Sequence, residues 1–482
     1  MGIIKIKKRK FTLEDNIAFA ELSGDYNLLH VDAIAARRLL YGSPVVHGVY
    51  SLLWGLNSWF AEKTETIKIC SIKSRFHKPI RVGEEVSLSL INEDKKHVKI
   101  DLLCGEFAMT SIEFKYEKSE LHDFEYCEKR FPEKLQPQII LGNEIKTKSG
   151  TLDLCLNIEA ATKIFPHLIR CISSLQIAVL LGTTRLVGME CPGLNSVYYE
   201  LSLFSSDSHE GTKLKYEVTK YHRLFGLVSM EVITPNMFGV IKAFIRPTPQ
   251  VQDSYLKLKE QVNVNEFSGQ RALVIGGSRG LGEVTGKLLA AGGAKIKITY
   301  NQGEEDAHCI VDEIISNGGV ADYFHFDVLN PQINNLQLSL NNWAPTHLYY
   351  FATPFIFSGV KGVFSTNLFN KFCDYYIMGF LNITNSLISS GLRNIFNPSS
   401  VAIDDLPLDM GEYVAAKMAG EMLCTSLEKS NSNLTIYKPR LSRMNTDQTV
   451  SLLPINNQDP VPIMLEHLRK LRNTPTSQSH LE

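Results

Sequence analysis

Apolar and polar positions along the chain fall into three stretches of different rhythm. In the first, two helical segments precede alternating ones. Leu13 to Ser23 reads as a helix, and His47 to Ala61 as a second one. In the latter, Leu52, Leu53, Leu56, Trp59 and Phe60 recur at three- and four-residue spacings, which predicts burial along one face. Residues 85–90 and 96–103 then alternate apolar with polar, the period of strands covered on one side. The basic run Lys5 to Lys10 reads as a solvated edge strand. From Lys118 to about Gln138 the chain turns polar, as a connector would.

The second stretch, to Pro249, repeats this sense. An apolar helical segment, Ile158 to Leu181, precedes alternating strands at 196–204, 213–220, 226–233 and 240–245, and Arg246-Pro247-Thr248-Pro249 reads as a domain end. A polar linker is expected over 250–267. The third stretch alternates short apolar strands, at 272–275, 295–299, 348–351, 394–397 and 434–438, with helical segments. That rhythm predicts a doubly wound parallel sheet covered on both faces, an α/β domain. Residues 473–482 are polar and expected to fray. The expected domains are therefore 1–118, 137–249 and 268–450.

Composition narrows the function. The 482 residues are 44% hydrophobic and 21% charged, with a formal net charge of −1, so nothing favours nucleic acid or an anionic membrane surface. No apolar run reaches the roughly 18 residues of a membrane span, and the start lacks a signal-peptide pattern. Nine cysteines are scattered without paired or metal-binding spacing, which fits reduced thiols in the cytoplasm; no metal site is expected.

Candidate chemistry begins after the first helix. The loop Ser23-Gly24-Asp25-Tyr26-Asn27-Leu28-Leu29-His30 is followed by Val45-Val46-His47-Gly48 and by Phe76-His77-Lys78-Pro79. In this order the segments resemble the R-specific enoyl-thioester hydratases, the MaoC-like hot-dog family, over about the first 118 residues. The resemblance implies an α+β hot-dog fold and an acid/base pair, Asp25 and His30, that adds water to an enoyl thioester or removes it. It also implies that the Gly48 amide, at a helix start, stabilises the enolate-like thioester oxygen. His47 is expected to be structural, and Leu28 departs from a proline common in the family. The middle stretch resembles a second hot-dog unit without an Asp-x4-His loop. It is expected to line a substrate tunnel and supply no chemistry; the rival reading, an independent site, would draw on His167, Cys171 and Cys191.

In the third stretch, Gly276-Gly277-Ser278-Arg279-Gly280-Leu281-Gly282 lies between a strand and a helix, as a dinucleotide turn does. Phe326-Asp327-Val328 follows a later strand, Ser400 lies 13 positions before Tyr413, and Lys417 completes Tyr-x3-Lys. These residues resemble the short-chain dehydrogenase/reductase family. The resemblance implies that Tyr413 protonates a carbonyl oxygen, Ser400 binds it and Lys417 lowers the tyrosine pKa and holds the ribose. The cofactor would lie on Gly276, Ser278, Gly280, Leu281 and Gly282, with Asp327 and Val328 at the adenine. The second strand ends Thr299-Tyr300-Asn301 without an acidic residue, and Arg279 offers a cation for a 2′-phosphate, so NADP(H) is expected. Two departures are Tyr350-Phe351-Ala352-Thr353 at a strand end and Tyr376 where family members have an asparagine.

Together the two resemblances imply a cytoplasmic, homo-oligomeric enzyme with two activities. One is NADPH-dependent reduction of 3-oxoacyl thioesters; the other is dehydration or hydration of (R)-3-hydroxyacyl and enoyl thioesters, carried on coenzyme A or an acyl carrier protein. The competing reading keeps the hydratase and makes the reductase-like domain a nucleotide-binding or structural module. A third reading is a reductase of an unrelated carbonyl compound.

Overall fold

The computed structural model describes residues 7–120, 131, 135–140, 142–206, 211–330, 333–341, 343–452 and 455–473. The expected connector after Lys118 and the polar tail after Asn473 lie largely outside them. The chain forms two compact units, residues 1–248 with 451–455, and residues 249–450 with 456–482.

The first unit is built on one ten-stranded sheet whose strand pairs are antiparallel. Its strands are β1 (Lys8–Lys10), β2 (Ile67–Phe76), β3 (Glu85–Asp94), β4 (His97–Cys104), β5 (Phe107–Lys118), β6 (Ser149–Asp153), β7 (Ser196–Ser205), β8 (Lys213–His222), β9 (Leu227–Ile233) and β10 (Met237–Ile245). They run in the order β1-β3-β4-β5-β2-β7-β10-β9-β8-β6. The order is a topological repeat, because each strand of the first half has its counterpart five strands later. The halves meet where β2 pairs with β7, Ser71 opposite Phe204 and Arg75 opposite Glu200. The basic run Lys8–Lys10 forms the edge strand, beside β3.

The helix Gly48–Phe60 is buried at every position from Val49 onward except Asn57. Burial along one face was the expectation; the helix is covered all round. Strands β4 and β5 pack on it, and so do the helices Leu168–Cys171 and Ser174–Arg185 of the second half. Asn57 itself caps the former, its side-chain oxygen accepting from the His167 and Leu168 amides at 2.9 and 3.1 Å. The segment 158–181, expected as one helix, is divided into Ile158–Ile164, Leu168–Cys171 and Ser174–Arg185. Pro166 cannot donate to a continuing helix, while Asn157 and Ser173 cap new starts with their side chains. The last helix runs on into a π-helical turn, Leu186–Glu190.

The second unit holds β11 (Arg271–Ile275), β12 (Lys295–Tyr300), β13 (Val320–His325), β14 (His347–Tyr350), β15 (Asn394–Phe396), β16 (Ser399–Ser400), β17 (Thr435–Tyr437) and β18 (Arg440–Leu441). Six of them form a parallel sheet in the order β13-β12-β11-β14-β15-β17; β16 and β18 pair separately. The order reverses between β11 and β14, which opens a crevice at the strands' carboxyl ends, where doubly wound sheets bind ligands. Two expectations need correction. The supposed linker 250–267 contains the helix Tyr255–Lys259, and Tyr255, Leu258 and Phe267 are buried in the core with the helix Gly280–Ala291. Beyond residue 450, a helix Pro460–Asn473 adds Val461, Met464, Leu465, Leu468 and Leu471 to that core, spaced on one helical face. Among the described residues no helix is long and apolar enough to cross a membrane.

Candidate functional site

In the first unit the helix Leu13–Ser23 ends at Gly24, whose φ of +78° turns the chain into the loop carrying Asp25. Asn27 then caps a short helix, Leu28–Val31, by accepting from the Leu29 amide at 3.1 Å. Leu28, the departure from the family pattern, is simply the first residue of that helix, which carries His30. The His30 ring is fixed by Nδ1, which donates to the Val45 carbonyl at 2.8 Å. A carbonyl only accepts, so the proton sits on Nδ1 and the neutral ring keeps its lone pair on Nε2. Asn16 ties the same parts together, donating to the His30 and Val45 carbonyls at 2.9 and 3.0 Å.

Asp25, His30 and His47 each bring one polar side-chain atom within 4.8 Å of the others. His47 stacks on His30, with ring centroids 3.9 Å apart, and its Nε2 donates to the Asp25 carbonyl at 3.0 Å. These are supporting contacts. Gly48 opens the helix Gly48–Phe60, which has no side-chain cap. A Cβ on Gly48 would lie 3.0 Å from the Phe76 ring, so only glycine leaves that approach open. Asp25, His30 and Gly48 line one cleft together with Tyr41, Phe76 and Tyr198. Burial is the dominant influence on both titrating groups. It raises Asp25, against the opposing pull of His30 and Thr184, and lowers His30, against the pull of Asp25.

Two residues of this cleft were absent from the sequence reading, and both come from the second half. Thr184 donates to Asp25 Oδ2 at 2.6 Å. Gly188, in the π-helical turn, lies so close that a Cβ there would fall 2.1 Å from Asp25 Oδ1. Nothing local marks them: the segment 175–186 also carries Gln176 and Arg185, so its adjacent threonines do not stand apart. Among the described residues His167, Cys171 and Cys191 form no such cluster. His167 instead pairs with Arg170 at 2.7 Å, and burial pushes the Cys191 thiol up to about 12.

In the second unit the turn after β11 has positive φ at Gly276 (+76°) and Gly280 (+57°). A Cβ on Gly282 would fall 2.2 Å from the Gly276 carbonyl oxygen, so the turn closes only with glycine there. Ser278 is buried, Leu281 packs against the core, and Arg279 stands at the N-cap of Gly280–Ala291, which no side chain caps. The Arg279 guanidinium lies 3.8 Å from the buried Asp447 carboxylate. Asp327 accepts from the Leu329 amide at 3.0 Å, and Val328 is buried beside it.

Tyr413 and Lys417 lie one turn apart on the helix Gly411–Ser430, while β16 brings up Ser400. Burial raises the Tyr413 pKa, and a hydrogen bond with Ser400 opposes the rise. Burial lowers Lys417 to about 8. The Lys417 ammonium is engaged by partners other than Tyr413 in this arrangement. The ammonium donates to the Pro398 carbonyl at 2.8 Å and sits 4.0 Å above the Tyr376 ring, against 5.9 Å from the Tyr413 ring. Tyr376 belongs to a π-helical turn, Asp374–Gly379, and its hydroxyl hydrogen-bonds Thr353, so the two departures from the family pattern contact each other.

Comparison with known proteins bears on both units. Residues 3–113 match the family model "MaoC like domain". A 3-hydroxybutyryl-CoA dehydratase of Methylorubrum extorquens is 23% identical over 111 residues, 22% of this chain and 70% of its own length. A 3-oxoacyl-[acyl-carrier-protein] reductase of Synechocystis is 44% identical over 64 residues, 13% of this chain; the chain spans only 26% of that reductase. Among solved structures, a short chain dehydrogenase from Burkholderia cenocepacia in complex with NADP has 19% identity and a TM-score of 0.38, covering 44% of this chain and 94% of its own. Residues 3–113 thus match a MaoC-like domain, and a 64-residue stretch of the chain is similar to a 3-oxoacyl-[acyl-carrier-protein] reductase.

Proposed function

We propose that the protein acts on acyl thioesters twice: it reduces a 3-oxoacyl thioester with NADPH and interconverts the (R)-3-hydroxyacyl thioester with its enoyl form. The observation that carries the reading is the pairing of a buried Asp25 with a half-buried His30 whose Nδ1 is committed to a carbonyl. With Nε2 left as acceptor, His30 and Asp25 hold one water between them. Its oxygen bonds C3 of the enoyl group, its proton reaches C2, and the Gly48 amide steadies the thioester oxygen while that carbon carries charge. The second half of the sheet is read as a second hot-dog unit, on the strength of its repeated strand order.

The glycine turn after β11 fits a dinucleotide, because a Cβ at Gly282 would strike the Gly276 carbonyl and prevent the tight turn that leaves backbone amides at an uncapped helix start for the pyrophosphate. NADPH, when bound, supplies the hydride. This chain's residues do the rest: Tyr413 delivers the proton to the carbonyl oxygen, Ser400 binds that oxygen, and Arg279 faces the 2′-phosphate. The competing reading, a nucleotide-binding module without turnover, is favoured by Lys417, which is held against Tyr376 and the Pro398 carbonyl. Enoyl-thioester hydration and NADPH consumption with 3-oxoacyl thioesters separate the readings. The proposal requires both activities in the intact chain. Hydration without turnover of NADPH supports the module; loss of neither activity in Asp25→Asn and Tyr413→Phe contradicts the site assignment.

A further inference from the structure

The second half of the first unit touches Asp25 twice and anchors the neighbouring Asn27 as well, which is more than a tunnel wall requires. Thr183 and Thr184 are adjacent and both buried on the helix Ser174–Arg185, yet their hydroxyls behave differently. Thr183 donates back to the Leu180 carbonyl at 2.7 Å, the default of a helical threonine. Thr184 leaves its own helix and donates to Asp25 Oδ2 at 2.6 Å. The helix then opens into the π-helical turn Leu186–Glu190, and Gly188 in that turn meets Oδ1 with no room for a Cβ. Asn27, two residues beyond Asp25, donates to the carbonyls of Gly188, Gly193 and Leu194 at 3.0, 3.2 and 3.1 Å.

We infer that Thr184 is a positioning residue of the hydration site, so that the half without the Asp-x4-His loop fixes the carboxylate on which the other half depends. This rests on the reading of Asp25 and His30 as the acid/base pair. A hydroxyl has one proton, and donating it to Asp25 favours the ionised carboxylate. It also fixes the carboxyl plane: Oδ2 is held by Thr184, and Oδ1 accepts from the Asn27 amide at 3.2 Å. Removing the hydroxyl leaves burial less opposed, so Asp25 takes up a proton at higher pH and its plane loses one of two anchors.

Steady-state hydration of a short enoyl thioester by the full chain tests this in Thr184→Val, Thr184→Ser and Asp25→Asn. Valine keeps the shape of threonine and loses the donor. The expected result is a kcat about tenfold lower in Thr184→Val with KM within about threefold, because a hydrogen bond to a charged group is removed without a change in the substrate's contacts. The acid limb of the kcat profile moves to higher pH, and Thr184→Ser restores both limb and rate. An unmoved limb overturns the inference, as does equal impairment in the valine and serine variants, since packing alone would then explain the loss. If Thr184→Val fails to fold, Thr184→Ser decides: a rate and limb at the wild-type values support the inference, and a depressed rate with an unmoved limb overturns it. Full hydration by Asp25→Asn would instead overturn the underlying assignment, with which the inference also falls.

Discussion

Asp25 and His30 share one loop, and burial favours the neutral form of each. For His30 the neutral form is the useful one, since it keeps Nε2 free to accept a proton. For Asp25 the raised pKa has two consequences of opposite sign. On the proposed mechanism hydration declines as pH falls through that raised value, so the acid limb of kcat/KM is expected to follow Asp25. Stability runs the other way. A carboxyl whose folded pKa lies above its unfolded one stabilises the fold fully below the unfolded pKa and loses that contribution as pH rises through the folded one. Ionising Asp25 is therefore a cost to the fold, and Asp25→Asn should melt above wild type while losing hydration by at least about a hundredfold. Thermal unfolding from pH 7 downward checks it, the advantage shrinking as pH falls; an unfolding midpoint below wild type at pH 7 would refute the sign. His30→Ala should lose hydration to a similar extent, and Gly188→Ala should do so by displacing the Asp25 carboxyl.

At the scale of elements, the glycine turn and the terminal helix make separate predictions. Gly282→Ala sets a Cβ against the Gly276 carbonyl, so it should abolish NADPH binding by fluorescence titration and leave hydration unchanged. Leu468 is 1% exposed on the helix Pro460–Asn473. Leu468→Ala should cost about 2–5 kcal/mol, read from denaturant unfolding of the nucleotide-binding unit; a shift well under 1 kcal/mol would mean that the helix is not part of its core. Elements were legible where pattern was local. The helix Leu13–Ser23, strands β3, β4 and β7 to β10, and the parallel strands β11, β12, β14, β15 and β17 follow from apolar pattern, whereas β2, β5, β6 and β13 were not expected. The helix 48–60 was misjudged because period reveals an amphipathic face only when water covers the other side, and here other helices do. The segment 250–267 looked like a linker because polar residues dominate it and its helix is only Tyr255–Lys259, although Tyr255, Leu258 and Val262 fall at helical spacing. Asp25 and His30 stood out through their loop, and Tyr413 with Lys417 through their spacing. Thr184 and Gly188 did not, since their importance arises from a contact about 160 positions away in the chain, for which nothing local is a sign.

For the molecule as a whole, the proposed function puts one chemistry in each compact unit, so each should be removable alone. Under the proposed cofactor site, Arg279→Ala should weaken NADPH more than NADH, since only NADPH carries a 2′-phosphate for the guanidinium to pair with in place of Asp447. Equal losses for the two cofactors would remove the argument from the acid-free end of β12. Lys417 adds a pH signature. Burial lowers it to about 8, so its ammonium, and with it cofactor-dependent reduction, should decline as pH rises through that value. Tyr376→Asn should relieve the stacking on Lys417 and move that limb, while Tyr413→Phe should abolish reduction at any pH.

The central claim, that one chain performs consecutive steps on one thioester, is tested most directly by mass-resolved products. The protein is incubated with a 3-oxoacyl thioester and NADPH, and the acyl species are followed over time. The account predicts a 3-hydroxyacyl thioester followed by its enoyl form in wild type, arrest at the 3-hydroxyacyl thioester in Asp25→Asn, and untouched substrate in Tyr413→Phe. An enoyl product formed at the wild-type rate by Asp25→Asn, or a 3-oxoacyl thioester left unreduced by wild type with NADPH bound, would contradict it.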